Sequence, residues 1–292
     1  MRLGPIKRRT PSEDAENFAR DERRLKDVED KLPSDHTYHL KARTKYRAEF
    51  AETIYGEKKH NRALTRIFRG TTNDDKVFFR KIDDWVKAGP ESERENRKDV
   101  GQDLTANVTR RNDWLYLNFA KSKFMPPDFL KEFTWLKSLV IRGCDYERLP
   151  DLPCSLLSLS VGSCNKLRGL PKLPIDLKEL DVAYGGLETL PMLPPSLAEL
   201  NVRGNRLVVL PELPGALSVL EAGQNRLSTL PHLSGGIVRL RVGGNQLVEV
   251  PQSIIDKKNR YAEWCFAGNP WSDKAEEFLI AKFGTLTTPD ED

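Results

Sequence analysis

Leu197-Ala-Glu-Leu-Asn-Val-Arg-Gly-Asn-Arg-Leu-Val-Val-Leu-Pro-Glu-Leu-Pro214 is the stretch that decides the fold of this chain. With Leu197 as position 0, apolar residues fall at positions 0, 3, 5, 10, 13 and 16, asparagine at 8 and proline at 14 and 17. The template recurs about every twenty residues from Leu136 to Val250, a period typical of solenoids. It finds Leu177/Leu180/Val182, Leu217/Leu220/Ala222 and Ile237/Leu240/Val242, with Gly185, Asn225 and Asn245 at position 8. Upstream, Leu136/Leu139/Ile141/Tyr146/Leu149 is a full copy carrying Cys144 in the asparagine position, and Trp114/Leu117/Phe119/Phe124 reads as a degenerate first copy. Downstream, Tyr261/Trp264/Phe266/Asn269/Trp271 repeats the spacing with aromatics. No unit this short can bury its apolar face alone, so the copies must stack on one another.

Within a unit, positions 0, 3 and 5 point into the core, and positions 2, 4 and 6 flank a short strand on the concave face. Stacked parallel strands lie about 4.8 Å apart, so eight of them make a sheet on the order of 34 Å wide. Asparagine at position 8 can satisfy backbone groups left open where the strand turns. Leu-Pro-x-Leu-Pro then covers the outer side, where proline fixes φ, removes a donor and pushes the preceding leucine to extended geometry. The expected fold class is α/β: a short-repeat leucine-rich-repeat solenoid with a parallel sheet on the concave face, capped by an N-terminal α-helical hairpin.

Four stretches follow from pattern and composition. Residues 1–73 are polar, mixed in charge and helix-prone or disordered, with helical runs over Ser12–Lys31 and Thr37–Phe68. Residues 1–70 hold 18 Lys+Arg against 12 Asp+Glu, a surplus that suits a surface helix or an export segment. Residues 74–112 form the helical hairpin, in which Val77, Phe78, Ile82, Trp85 and Val86, then Val100, Leu104 and Val108, recur at helical spacing around Ala88-Gly89-Pro90. Residues 113–271 form the solenoid of about eight repeats. Residues 272–292 supply an amphipathic capping helix over Asp273–Phe283 and a polar tail.

The function classes that composition excludes are broad. A net charge of +4 over 292 residues is no clustered basic footprint, so nucleic acid is not expected as a partner. No stretch approaches the ~20 apolar residues of a transmembrane helix, and firm membrane association is not expected. The charged N-terminus Met1-Arg-Leu-Gly-Pro-Ile-Lys-Arg-Arg9 lacks the apolar core of a Sec signal. Cys144, Cys154, Cys164 and Cys265 form no Cys-x-x-Cys pair and read as reduced thiols. His36 and His39 find no further ligands in the pattern, and no phosphate-cradling loop or nucleophile elbow occurs, so neither metal, cofactor nor catalytic residue is assigned.

The repeat Leu-Pro-x-Leu-Pro-x-x-Leu-x-x-Leu-x-Val-x-x-Asn-x-Leu resembles the LPX leucine-rich repeats of bacterial type III secretion effectors, the YopM and IpaH group. Phe78-Phe-Arg-Lys-Ile-Asp-Asp-Trp85-Val-Lys-Ala-Gly-Pro90, followed by Arg94, Val100 and Leu104, is similar to that group's N-terminal hairpin. The resemblance covers roughly residues 76–285. It implies secretion through a type III system, residence in the host cytoplasm and binding of host proteins. It also implies an enzymatic alternative, because many members carry an E3 ubiquitin ligase domain after the repeats, with a Cys-x-Asp nucleophile that would engage a ubiquitin-conjugating enzyme. Here Cys265 lies in the last repeat, and Cys144-Asp145-Tyr146 departs from that spacing, so a non-enzymatic binder, or the recognition half of a ligase, is the expectation.

Partner binding is expected on the concave face, through Arg142, Glu179, Asp181, Glu199, Asn201, Arg203, Glu221, Arg239 and Arg241. Carboxylates cluster on the central strands, with Arg203, Arg239 and Arg241 beside them. That arrangement is either a solvated lattice of cross-strand ion pairs or a charge-patterned docking surface for a complementary basic patch. Small residues at position 6 (Gly162, Ala183, Gly223, Gly243) are expected to leave a groove suited to a protein segment.

Overall fold

Eight parallel strands stack in chain order: β1 Trp114–Asn118, β2 Ser138–Arg142, β3 Ser158–Gly162, β4 Glu179–Asp181, β5 Glu199–Asn201, β6 Val219–Glu221, β7 Arg239–Arg241 and β8 Glu263–Cys265. The computed structural model describes residues 73–119, 126–143, 145–256 and 262–287. The helical runs expected within 1–72, His36, His39, Cys144 and Phe124 lie outside the described residues. Two helices, α1 (Asn73–Lys87) and α2 (Arg94–Arg110), precede the sheet, a short α3 (Gln252–Ile255) precedes β8, and α4 (Asp273–Phe283) follows it. No helix among the described residues is long and apolar enough to cross a membrane.

The register is the sequence template made physical. Position 3 forms one column of paired residues, Leu139, Leu159, Leu180, Leu200, Leu220 and Leu240, ending on Trp264. Position 0 and position 5 residues such as Leu197, Leu217, Val202 and Val242 are fully buried behind it. The first turn departs from the expected frame. Leu115 pairs with Leu139, so Leu115, Leu117 and Phe119 are its core residues, while Trp114 aligns with Ser138 in a concave-facing column. Leu117 and Phe119 are buried in either frame, so the spacing 0, 3, 5 fits Trp114/Leu117/Phe119 equally well, and only the pairing with β2 distinguishes the two.

Asparagines at position 8 knit consecutive turns. Asn225 Nδ2 donates to Val202 O of the preceding turn at 2.9 Å and to Ala222 O of its own at 3.1 Å, and its Oδ1 accepts from Leu207 N at 3.1 Å. Asn205, Asn245 and Asn269 repeat the same three bonds. On the convex side, the second proline of each central unit accepts from the position 0 leucine, as Pro194 O does from Leu197 N at 3.1 Å. These segments carry no helix. In the last such segment Ile254 replaces the second proline, its N–H reaches Pro251 O, and α3 forms there. The first convex segment likewise contains a 3-10 turn, Asp128–Glu132.

Both ends of the stack are covered. Val100, Leu104 and Val108 of α2 are buried towards β1, whereas Val77 of α1 is exposed rather than part of the buried stripe. Asn107 joins helix to sheet: its Nδ2 donates to Asn112 O and Trp114 O, and its Oδ1 accepts from Trp135 Nε1 at 2.9 Å. Arg111, left-handed at φ 52°, pairs with Asp75 and lies 4.0 Å from the Trp135 ring centroid. At the other end, Ala275, Leu279 and Phe283 of α4 are buried, and the chain then returns so that Leu286 O accepts from Phe266 N and Thr287 bridges Cys265.

The thiols differ from expectation in one place. Cys154 and Cys265 are in no disulfide, but Cys164 is disulfide-bonded.

Candidate functional site

The concave face is built from two columns of paired residues. Position 2 runs Trp114, Ser138, Ser158, Glu179, Glu199, Val219, Arg239, Glu263, and position 4 runs Tyr116, Val140, Ser160, Asp181, Asn201, Glu221, Arg241, Cys265. The face therefore passes from aromatic and hydroxyl residues on β1–β3, through carboxylates on β4 and β5, to arginines on β7. Acidic Glu179 and Glu199 are direct cross-strand partners, an arrangement that repels.

Sequence reasoning put the arginines of β7 beside those carboxylates. Of the expected cluster Glu179, Asp181, Glu199 and Glu221, the structure joins them to Glu221 and adds Glu263. Arg239 Nη1 stands 3.4 Å from Glu221 Oε1, and its Nη2 donates to Glu263 Oε1 at 3.0 Å. Arg241 Nη2 donates to Glu263 Oε2 at 3.1 Å, with Nη1 3.8 Å from Glu221 Oε1. Side-chain exposures of 8% for Glu221, 10% for Arg239, 21% for Arg241 and 26% for Glu263 describe a four-membered network buried at its centre and open at one edge. Glu263 completes it. It occupies position 2 of the aromatic last repeat, so applying the template there would have found it.

The centre of the face is different. Asp181 Oδ2 accepts from Ser160 Oγ at 3.2 Å, and Ser160 in turn accepts from Arg142 Nη2 at 3.1 Å. Asp181 Oδ1 also accepts from Ala183 N at 3.3 Å, just as Asn201 Oδ1 accepts from Arg203 N at 3.2 Å. Position 4 thus closes the end of each of these strands as well as lining the face. Burial raises the Asp181 carboxyl above its ordinary range, opposed by the Ala183 N–H, the Arg142 charge and the Ser160 hydroxyl, while Glu221 adds to the rise. No lysine or arginine lies within ion-pair distance of Glu179 or Asp181 among the described residues.

The expected position 6 groove is largely filled. A Cβ at Gly162 would meet the Arg142 guanidinium, one at Gly223 would lie 3.0 Å from Gly243 O, and one at Gly243 would strike Cys265 Sγ. These glycines exist because side chains and neighbouring backbone occupy the space, not to leave it open. Beyond them, Arg203 Nε donates to Gln224 Oε1 at 3.4 Å and its guanidinium lies 6.0 Å from the Tyr184 ring centroid. Cys265, half-buried at the end of position 4, sits against Gly243 and bridges to Thr287.

No protein-family profile matches the sequence, and no curated protein matches it. Solved structures do. The leucine-rich-repeat domain of a Shigella effector superposes with a TM-score of 0.62 at 30% identity, covering 76% of this chain and 94% of that one. YopM from Yersinia enterocolitica WA-314 gives a TM-score of 0.58 at 27% identity, over 68% of this chain and 44% of that one. YopM of Yersinia pestis, a leucine-rich effector protein, gives 0.54 at 27% identity, over 68% of this chain and 61% of that one. The chain thus spans nearly all of the Shigella domain and less than two thirds of either YopM.

Proposed function

Because the chain belongs to the YopM- and IpaH-like family of bacterial leucine-rich-repeat effectors, we propose that it is a type III effector that acts in the host cytoplasm by binding a host protein on its concave face. The role is recruitment, with no reaction assigned to its own residues. The observation that carries the reading is the contrast between two halves of one sheet. On β6–β8, Arg239 and Arg241 are committed to Glu221 and Glu263. On β4 and β5, Glu179, Asp181 and Glu199 form a continuous acidic patch, with Arg142 and Arg203 at its margins. Repulsion between neighbouring carboxylates is retained there although it opposes folding, as expected of a surface that draws in a basic partner.

The test is charge reversal at the centre. Lysine at Glu179, Asp181 and Glu199 together should slow association with a host partner at least tenfold at low salt and flatten its salt dependence, since steering is an on-rate effect. A partner that binds the triple variant as fast as the parent would remove the concave face from the reading. Delivery is tested separately, by fusing residues 1–70 to a translocation reporter, where failure to enter host cells would argue for a protein that stays in the bacterium.

A further inference from the structure

Position 7 of every described turn that follows β2 to β8 is left-handed: Gly143, Ser163, Tyr184, Gly204, Gln224, Gly244 and Gly268. Glycine accepts this conformation freely, but an L-residue is strained by its Cβ there. Tyr184 and Gln224 are therefore expensive choices, and Tyr184 is 55% exposed, so burial offsets little of the strain. The two share one neighbour. The Tyr184 ring lies over the Gly204 turn, where an added Cβ would come within 2.6 Å of the ring. Arg203 sits beside it, 6.0 Å from its centroid, with Nε bonded to Gln224 Oε1 on the following turn. Two strained residues thus hold a single guanidinium.

That guanidinium is also the one on this part of the face with open donors. Arg203 Nη1 and Nη2 make no hydrogen bond and Arg203 no ion pair among the described residues, whereas Arg239 and Arg241 are engaged by two glutamates. A planar fork fixed in orientation, with both terminal nitrogens available, matches a carboxylate bidentately. We propose that Arg203, positioned by Tyr184 and Gln224, is the docking point for an aspartate or glutamate side chain of the bound polypeptide. This rests on the concave face being the protein-binding surface and adds to it a partner chemistry. The segment that fits is basic where it crosses Glu179 and Asp181 and carries an acidic residue where it reaches Arg203. The same two carboxylates repel the higher charge of a phosphate, which favours a carboxylate as occupant.

A displayed random-peptide library panned against the full chain tests this. Enriched peptides should share an Asp or Glu next to Lys or Arg, and R203K should weaken a selected peptide at least about tenfold, because lysine keeps the charge but loses the fork. Y184G should weaken the same peptide while raising the melting temperature, since glycine relieves the left-handed strain. Selected peptides indifferent to R203K, or a lowered melting temperature in Y184G, would overturn the clamp. Sensitivity to R203K without sensitivity to reversal of Glu179, Asp181 and Glu199 would uphold the clamp and remove the acidic patch. A library that enriches no peptide would overturn both.

Discussion

Replacing Asn225 by alanine removes one acceptor and two donors from a site where the residue is only 8% exposed. Leu207 N, Val202 O and Ala222 O are then left with no water to replace the amide, and each such group costs about 1–3 kcal/mol. The expected loss is about 3 kcal/mol in denaturant titration, against less than about 1 kcal/mol for alanine at an exposed neighbour such as Arg226. A loss no larger than that of R226A would mean that the ladder is ornamental. Tyr146 offers the opposite case. Its ring is buried against Phe119, its hydroxyl finds no partner among the described residues, and burial pushes the phenol upward. Phenylalanine there should therefore stabilise the protein by about 1 kcal/mol, read as a higher midpoint in the same titration. The ladder was legible from spacing because asparagine recurs at a fixed offset. The stranded hydroxyl was not, because Tyr146 fills a position where the pattern asks only for bulk.

At the scale of elements, the junction between α2 and β1 is where sequence pattern stops and tertiary chemistry takes over. Helical periodicity identified Val100, Leu104 and Val108, all buried as expected. Nothing in that periodicity marks Asn107, whose amide bonds two backbone carbonyls of the chain entering β1 and accepts the Trp135 indole. Its partners lie in different elements, and no local spacing encodes them. One turn earlier, Asp103 lines a shallow cleft with Asn107 and Tyr116, and burial followed by repulsion from Asp99 pushes its carboxyl up to about 7. The folded state thus holds a proton that the unfolded chain, near its ordinary 3.8, releases. The stability this adds is full below pH 3.8 and lost as pH rises through about 7. Asn in place of Asp103 stays neutral throughout. D103N should accordingly raise the melting temperature at about pH 8 and change it little at about pH 4. Equal gains at both values would assign the effect to packing rather than to charge.

For the whole molecule, a solenoid in which each turn touches only its neighbours has a stability that is a sum over adjacent interfaces, not one global term. Those interfaces are unequal here. From β5 onward every turn is tied to the one before by an asparagine at 205, 225, 245 or 269. The β3 and β4 turns carry Cys164 and Gly185 in that position and lack the amide bridge. The unbridged interface lies between β3 and β4, on the N-terminal side of the acidic patch, whereas the β4–β5 interface that holds the Glu179–Glu199 repulsion is bridged by Asn205. Hydrogen exchange should then resolve two units: amides around Val182, Val202, Ala222 and Val242 opening together and slowly, and those around Val161 opening first. Binding of a basic segment across Glu179 and Asp181 should slow the second unit towards the first, because a ligand that binds only the closed form stabilises it by mass action. Uniform protection along the array in the free protein would show that the missing asparagines are fully compensated.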